Sequence, residues 1–356
     1  MKAAILTFQQ TNNYGAILQN YALQHTINKL GYDADTIDYQ SDYISKPYKI
    51  CHLKNKGLFP YLFGVAGYLI YALRTSKCKH FRKNISYSLP AKYPDLSALN
   101  DQYDIFITGS DQVWNYKLTG MDTAFLLDFV ADKRKCASYA ASLGVNCLDK
   151  DIAPIYKDLL NSYKSVSVRE EQAKQTLSFI LSAPIEVVSD PCLLLTPDEW
   201  LSVAAPNIPK KPYIAIYQLG FSSDVVKLAK KIAKEKHLGL IFLPFPVGTP
   251  AFGKYAFNAG PAELVNYIAH ADYVITDSFH GTLFSILFHK QFFTKVSGTH
   301  AGVGSRIHDL LSHYNLSDRI IAEQVNYKDP IDYTVIDSII KKDRAHSLQV
   351  LQNIFL

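Results

Sequence analysis

Short apolar runs that break into polar, glycine-bearing turns, and then into helices, recur along this 356-residue sequence. That repeated change of period constrains the fold more than any other feature. The clearest instance is residues 273–281, Tyr-Val-Ile-Thr-Asp-Ser-Phe-His-Gly. Its first four residues are β-branched or aromatic and suit a buried parallel strand. Leu283, Phe284, Ile286 and Leu287 then resume at helical spacing. A strand, a tight turn and a helix place Asp277, Ser278 and His280 at the carboxyl end of a sheet. The N–H groups of a helix start lie beside them and favour an anionic ligand. The same residues also suit a plain helix entry, capped by Asp or Ser, with a histidine that only packs.

The chain opens in the same way. Residues 2–8 read as a strand, residues 9–15 (Gln-Gln-Thr-Asn-Asn-Tyr-Gly) as a polar turn, and residues 16–30 as a helix stopped by Gly31. Residues 34–39 are the next strand, which completes a βαβ unit and puts the turn at the carboxyl edge of a parallel sheet. One glycine there is not a dinucleotide fingerprint. Its amides and Tyr14 suit hydrogen bonds to hydroxyls, or an ordinary Asn-rich helix entry. Residues 103–108 form a strand ending in Gly109-Ser110-Asp111-Gln112-Val113-Trp114-Asn115. Strands at 135–139 and 165–168 follow, the second ending in Arg169-Glu170-Glu171. Arg169 can hold a carboxylate or phosphate through paired hydrogen bonds there, or pair with Glu170 or Glu171.

Residues 186–188 read as a further strand. A junction is expected within 172–184, dividing the chain into domains at 1–171 and 185–330 and a helical tail at 331–356. A second alternating series then runs, with strands at 213–217, 238–243, 273–276 and 292–296. Its helices are expected at 222–237, 261–269 and 305–312, the last containing Arg306. Two such series predict an α/β protein of two Rossmann-like, doubly wound domains. Their polar turns face each other across a cleft, as in the glycosyltransferase-B architecture.

Composition narrows the chemistry. The net charge of +5 is mild, and no Lys/Arg stripe carries interleaved aromatics, which argues against nucleic acid as a partner. An anionic small substrate or a membrane surface stays compatible. Twenty-four Tyr beside 2 Trp suit polar stacking surfaces such as saccharide sites. The 5 cysteines are scattered, with no Cys-x-x-Cys pair, which argues for a reducing compartment and against a zinc ribbon or disulfide framework. The opening residues read directly into a strand without a signal-peptide pattern, so a cytoplasmic location is expected. Residues 58–73 are nearly continuous apolar sequence, followed by Arg74, Lys77, Lys79, Arg82 and Lys83. That run falls short of the ~20 residues that span a bilayer. It is expected to be a helical insertion on the first domain, with interfacial contact to an anionic membrane as the alternative.

Six motifs occur in order: Asn13-Tyr14-Gly15-Ala16, the Gly109–Asn115 turn, Ser167-Val168-Arg169-Glu170, Ser189-Asp190-Pro191, Thr276-Asp277-Ser278-Phe279-His280-Gly281 and Ser305-Arg306-Ile307. Together they resemble the polysaccharide pyruvyl transferase family, from the first strand to about Leu311. The resemblance implies transfer of a pyruvyl group from phosphoenolpyruvate to a sugar, usually as a cyclic ketal across two hydroxyls. It implies a glycosyltransferase-B-like fold, no obligatory metal, and no cofactor besides the phosphoenolpyruvate donor. The implied acceptor is a sugar unit of a bacterial cell-surface polysaccharide (exopolysaccharide or capsule), often carried on a polyprenyl diphosphate. Work at the inner face of the cytoplasmic membrane would follow. By motif position His280 matches the family's catalytic histidine and Arg169 its donor-binding arginine. The family's Arg-Leu-His tripeptide is here Ser278-Phe279-His280, so the arginine beside the histidine is missing. Lys295 and Arg306 are the candidate replacements, with Lys295, just past the following strand, ranked marginally higher.

On this reading His280 protonates the methylene carbon of the donor, while Arg169, Ser278 and Lys295 or Arg306 hold its charged groups. Asn13, Tyr14, Asp111, Gln112 and Trp114 are assigned to the acceptor, because the first domain's turns are rich in amides and aromatics instead of cations. Asp111 also suits a base toward the attacking hydroxyl, or a simple turn aspartate. Two rivals remain at this stage: a sugar-nucleotide-dependent glycosyltransferase of the same architecture, and a saccharide-binding relative without turnover.

Overall fold

The computed structural model describes the chain except residues 42, 45–57, 94, 208, 221, 244–252, 297–302 and 323–324; at 58–67, 303 and 305 it describes the backbone alone. Cys51 and the side chains of the first ten residues of the apolar run therefore lie outside the described residues.

In the first half, β1 (Lys2–Leu6), α1 (Tyr14–Lys29) and β2 (Asp33–Thr36) are followed by α2 (Leu58–Phe81) and β3 (Ile105–Thr108). Then come the single turn α3 (Tyr116–Thr119), β4 (Cys136–Ser138), α4 (Ala153–Leu160), β5 (Val166–Val168), α5 (Glu171–Ser178) and β6 (Ile185–Val187). The strands pair parallel in the order β2-β1-β3-β4. A bridge from Ala137 to Ser165 carries the sheet on to the β5–β6 pair. Every residue of β3 is buried, as in a sheet covered on both faces.

The second half contains α6 (Pro197–Ser202), β7 (Tyr213–Tyr217), α7 (Ser223–Lys236), β8 (Gly239–Leu243), β9 (Lys254–Tyr255) and α8 (Pro261–Ala269). It continues with β10 (Tyr273–Thr276), α9 (Phe279–Leu287), β11 (Gln291–Thr294), α10 (Val303–His313) and α11 (Tyr333–Asn353). Its sheet is also parallel, in the order β11-β10-β7-β8-β9. The protein is thus α/β with two Rossmann-like sheets. The expected junction at 172–184 needs correction, because β6 lies beyond it and pairs with β5, Val166 against Ile185. A right-handed βαβ unit is complete only with its second strand, so the first sheet runs to Val187.

Strand order reverses between β1 and β3 in the first sheet and between β7 and β10 in the second, and ligands bind doubly wound sheets at such places. The halves are joined by shared packing. Tyr21 of α1 lies 5.7 Å from Trp200 of α6, which meets Phe284 of α9 edge-on at 5.0 Å. Trp200 is fully buried, and a side chain of that size contributes on the order of 4–6 kcal/mol of transfer free energy, an upper estimate. The tail also crosses back. In α11, Arg344 donates to the carbonyls of Leu193 and Leu195, the Ser347 hydroxyl accepts from the Ser189 N–H, and after the helix Phe355 stacks on Tyr32 at 4.1 Å.

Candidate active site

At the carboxyl end of β10 most polar groups are used locally. The Asp277 carboxylate accepts from the N–H groups of Leu219 (2.6 Å) and Gly220 (3.0 Å), stapling the turns after β7 and β10 across the switch point. Burial raises the Asp277 pKa, and these N–H bonds oppose it. Ser278 caps α9, its hydroxyl accepting from the Gly281 N–H. His280, one residue inside the helix, is treated differently. It is 6% exposed, and its Nε2 has no hydrogen-bond partner. Its ring rests on the first half's opening turn. A Cβ added at Gly15 would stand 2.0 Å from His280 Nδ1, so the glycine is what allows the imidazole to lie there.

Around His280 the chain gathers charges from four other segments. Asp190 Oδ2 lies 3.6 Å from His280 Nε2, just beyond hydrogen-bond range. The same oxygen accepts from Arg169 Nη1 at 2.7 Å. Arg169 Nε donates to Glu170 at 2.9 Å, and its Nη2 donates to Ser142 at 3.2 Å and lies 3.8 Å from Asp111. Arg306 of α10 stands 4.0 Å from the same Asp111 oxygen. The Phe279 ring lies between both guanidiniums, 4.4 Å from Arg169 and 5.7 Å from Arg306.

Arg169, Asp190, Glu170, Asp111 and Arg306 are each less than 9% exposed. Two cations thus face three carboxylates out of water, where pairing decides which form survives. For Arg169 burial disfavours the cation, but Glu170, Asp190 and Asp111 outweigh it and hold it charged. Burial would likewise raise Asp190, yet His280 and Arg169 hold its carboxyl well below the usual range. Arg306 is pulled down to about 10, first by burial and then by Arg169, with Glu170 and Asp111 opposing.

The other sequence-derived candidates disperse. Lys295 is part-exposed, and its ammonium pairs with Asp224 of α7 at 2.8 Å, so the ranking of Lys295 above Arg306 is reversed. Trp114 is fully buried and donates its indole N–H to the Phe125 carbonyl. It offers no face to a sugar, because that bond and its packing hold the turn. The Gln112 side chain accepts from the Asn115 amide. Asn13 is exposed at the start of α1, where it caps Gly15 and Ala16. Tyr14 is buried, donates its hydroxyl to the Ala259 carbonyl at 2.6 Å and accepts from Arg74 Nε at 2.9 Å. Of the five acceptor candidates only Asp111 reaches the charged cluster. The arginine pairing weighed from sequence is present as well, since Arg169 binds Glu170.

Sequence reasoning gave no role to Asp190, Ser142 or Phe279. Asp190 had a signal, the Ser-Asp-Pro stop after a strand, but its partners are far away in sequence. Asp190, Cys192 and His280 bring potential metal ligands within 4.8 Å of one another. Arg169 Nη1 already supplies the cation at that carboxylate, and burial, reinforced by Asp190, keeps the Cys192 thiol protonated. A metal fits poorly there. A cavity of about 400 Å³ opens beside the cluster. Arg169, Asp190, Phe279 and Arg306 line one side, and His313 and Asp343 the other.

The sequence profile of the polysaccharide pyruvyl transferase family matches residues 13–295. No curated protein matches the chain significantly in sequence. Among solved structures, a putative UDP-N-acetylglucosamine 2-epimerase from Listeria monocytogenes superposes with a TM-score of 0.52 at 10% identity, over 99% of this chain and 90% of that one. The UDP-GlcNAc 2-epimerase of Methanocaldococcus jannaschii gives 0.47 at 13% identity, over 96% and 91%. The E. coli heptosyltransferase WaaC with ADP gives 0.41 at 12% identity, over 96% and 100%. The Listeria structure shares the glycosyltransferase-B-like pairing of two Rossmann-like domains. At such identity the likeness concerns fold alone.

Proposed function

The chain belongs to the polysaccharide pyruvyl transferase family, and from that premise we propose that it moves a pyruvyl group from phosphoenolpyruvate to a sugar of a cell-surface polysaccharide or its lipid-linked precursor, as a ketal. The observation that carries this reading is His280: an imidazole buried between both halves, with an unpartnered Nε2, beside two buried guanidiniums.

The reaction needs a proton on the donor's methylene carbon, which becomes a methyl group while C2 becomes electrophilic. His280 Nε2 supplies that proton, a transfer worth ~10²–10⁴ in rate. One sugar hydroxyl adds to C2, phosphate departs with the C–O bond electrons, and a second hydroxyl closes the ketal. Of the two hydroxyl protons, one restores His280 and the other leaves with phosphate. Asp190, anionic, lies 3.6 Å from Nε2 and is the charge that the imidazole faces during the transfer. Arg306 replaces the missing tripeptide arginine as the cation that meets the donor, and Arg169 holds Asp190 and Glu170 in place. Asp111, between both arginines, takes the proton of the attacking hydroxyl and passes it to the departing phosphate. The site works in the cytoplasm without a metal.

Thermal unfolding with phosphoenolpyruvate, and separately with a panel of sugar nucleotides, tests the reading. A ligand at a hundredfold excess over its Kd stabilises the folded state by ~2.7 kcal/mol. We expect phosphoenolpyruvate to raise the midpoint, and Arg306→Gln to remove most of that rise. A rise with a sugar nucleotide alone would move the protein to the nucleotide-dependent transferases.

A further inference from the structure

The apolar run at 58–73 has no part in the chemistry above. It forms the first two-thirds of α2. From Arg74 onward the helix is anchored to the body. Arg74 donates to Tyr14, Lys77 pairs with Glu263, and Cys78 and Phe81 are buried. Just before that anchor several apolar side chains of the helix are exposed. Tyr68 is 54% exposed, Leu69 57%, Tyr71 36% and Leu73 52%. At 100° per residue these positions, with exposed Ala72, cover about 200° of the helix, and half-buried Ile70 shares the remaining arc with Arg74, Cys78 and Phe81, which face the body. An exposed helix face this apolar belongs in an apolar surrounding.

We propose that α2 docks this protein onto the surface of an anionic lipid bilayer, its apolar turns entering the interface. Three observations select a bilayer over a protein groove. Residues 58–73 carry no charge, so the segment has no ion pairs with which to fix a register against a protein partner. Its exposed aromatics are tyrosines, which place an apolar ring and a polar tip at the headgroup boundary. Lys79, His80 and Lys83, exposed where the helix meets the body, supply the positive charge that anionic headgroups attract. The segment would reach roughly 24 Å as a helix, against ~30 Å of hydrocarbon. Among the described residues no helix is long and apolar enough to cross a membrane. The helix therefore enters one leaflet and stops. Through Arg74 and Tyr14 its base adjoins Gly15, on which His280 rests. The added consequence, that docking presents a lipid-carried acceptor to the cleft, rests on the pyruvyl-transfer reading; the docking itself does not.

Co-sedimentation of the full chain with phosphatidylcholine vesicles, and with vesicles also containing phosphatidylglycerol, tests this without donor or acceptor. We expect binding to the anionic vesicles that weakens with salt. The double variant Leu69→Glu/Leu73→Glu should lose more than about tenfold of it. Lys79→Glu/Lys83→Glu should lose about tenfold on anionic vesicles only. Because all four positions are exposed, both variants should keep the wild-type melting midpoint. No binding to either vesicle, or binding indifferent to Leu69→Glu/Leu73→Glu, overturns the proposal. So does a concentration-dependent dimer in size-exclusion chromatography that this variant abolishes, since a second copy would then cover the helix.

Discussion

The turn after β3 and the turn after β10 hold equivalent places, each at the switch point of its own sheet, and use their polar residues in contrasting ways. After β3 the indole and the Gln112 and Asn115 amides bond to backbone carbonyls or to each other, while Asp111 reaches the charged side chains of Arg169 and Arg306. After β10 Ser278 caps its own helix and Asp277 accepts from backbone N–H groups of the turn after β7, whereas His280 reaches across to Gly15 and to the charged side chain of Asp190. A turn must first satisfy its own buried donors and acceptors. What marks chemistry is a titratable side chain that meets charged side chains from distant segments.

His280→Ala is the variant that should separate the two kinds of residue most widely. If the imidazole delivers the proton, pyruvyl transfer falls ~10²–10⁴-fold. The midpoint rise with phosphoenolpyruvate should persist, because Arg306 and not His280 meets the donor's charge. Equal loss of rate and of donor binding would make His280 a binding residue and remove the distinction drawn between it and Arg306.

Trp114→Phe sharpens the other side. The change opens space in the core and removes one donor to the Phe125 carbonyl, which still accepts from the Thr108 hydroxyl at 2.8 Å. The expected cost is about 1–3 kcal/mol of stability, read by denaturant unfolding. The rate of transfer should stay at the wild-type value where the variant is folded. A fall in rate that exceeds the unfolded fraction would put Trp114 back on the acceptor side.

How far the sequence could be read follows from the same distinction. The strands, the paired sheets and the place of His280 just after β10 were legible because hydrophobic periodicity and local turn chemistry are short-range signals. Strand β6 was assigned to the wrong domain because three residues, Ile185–Val187, carry no mark of which sheet they join. Trp114 was misplaced because an aromatic at a sheet edge reads the same whether it faces solvent or core. Asp190 stayed without a role because its meaning lies in Arg169 and His280, 21 and 90 residues away. Gly15 was seen only as part of a turn; its missing Cβ matters because His280, from the other half of the chain, fills the space.

The smallest effect should come from the far wall of the cavity. His313 Nε2 lies 2.6 Å from Asp343, which also accepts from the Tyr314 hydroxyl, so the pair ties α10 to α11. The hydrogen bond to Asp343 raises the His313 pKa, with burial opposing and the charge of Asp343 adding. A pKa raised on folding means that the stabilisation is fully present below the unfolded value of ~6.5 and is lost as pH rises through the raised folded value. The imidazole side chain is 53% exposed, so solvent screening limits the gain to under ~1 kcal/mol. The gap in melting midpoint between wild type and His313→Gln should therefore be widest below about pH 6 and narrow as pH rises above the unfolded value. Asp190, held well below the usual carboxylate range, stays ionised across that window and adds nothing to the profile. A gap that widened toward high pH would assign the titration to a different group and leave α11 held by its uncharged contacts.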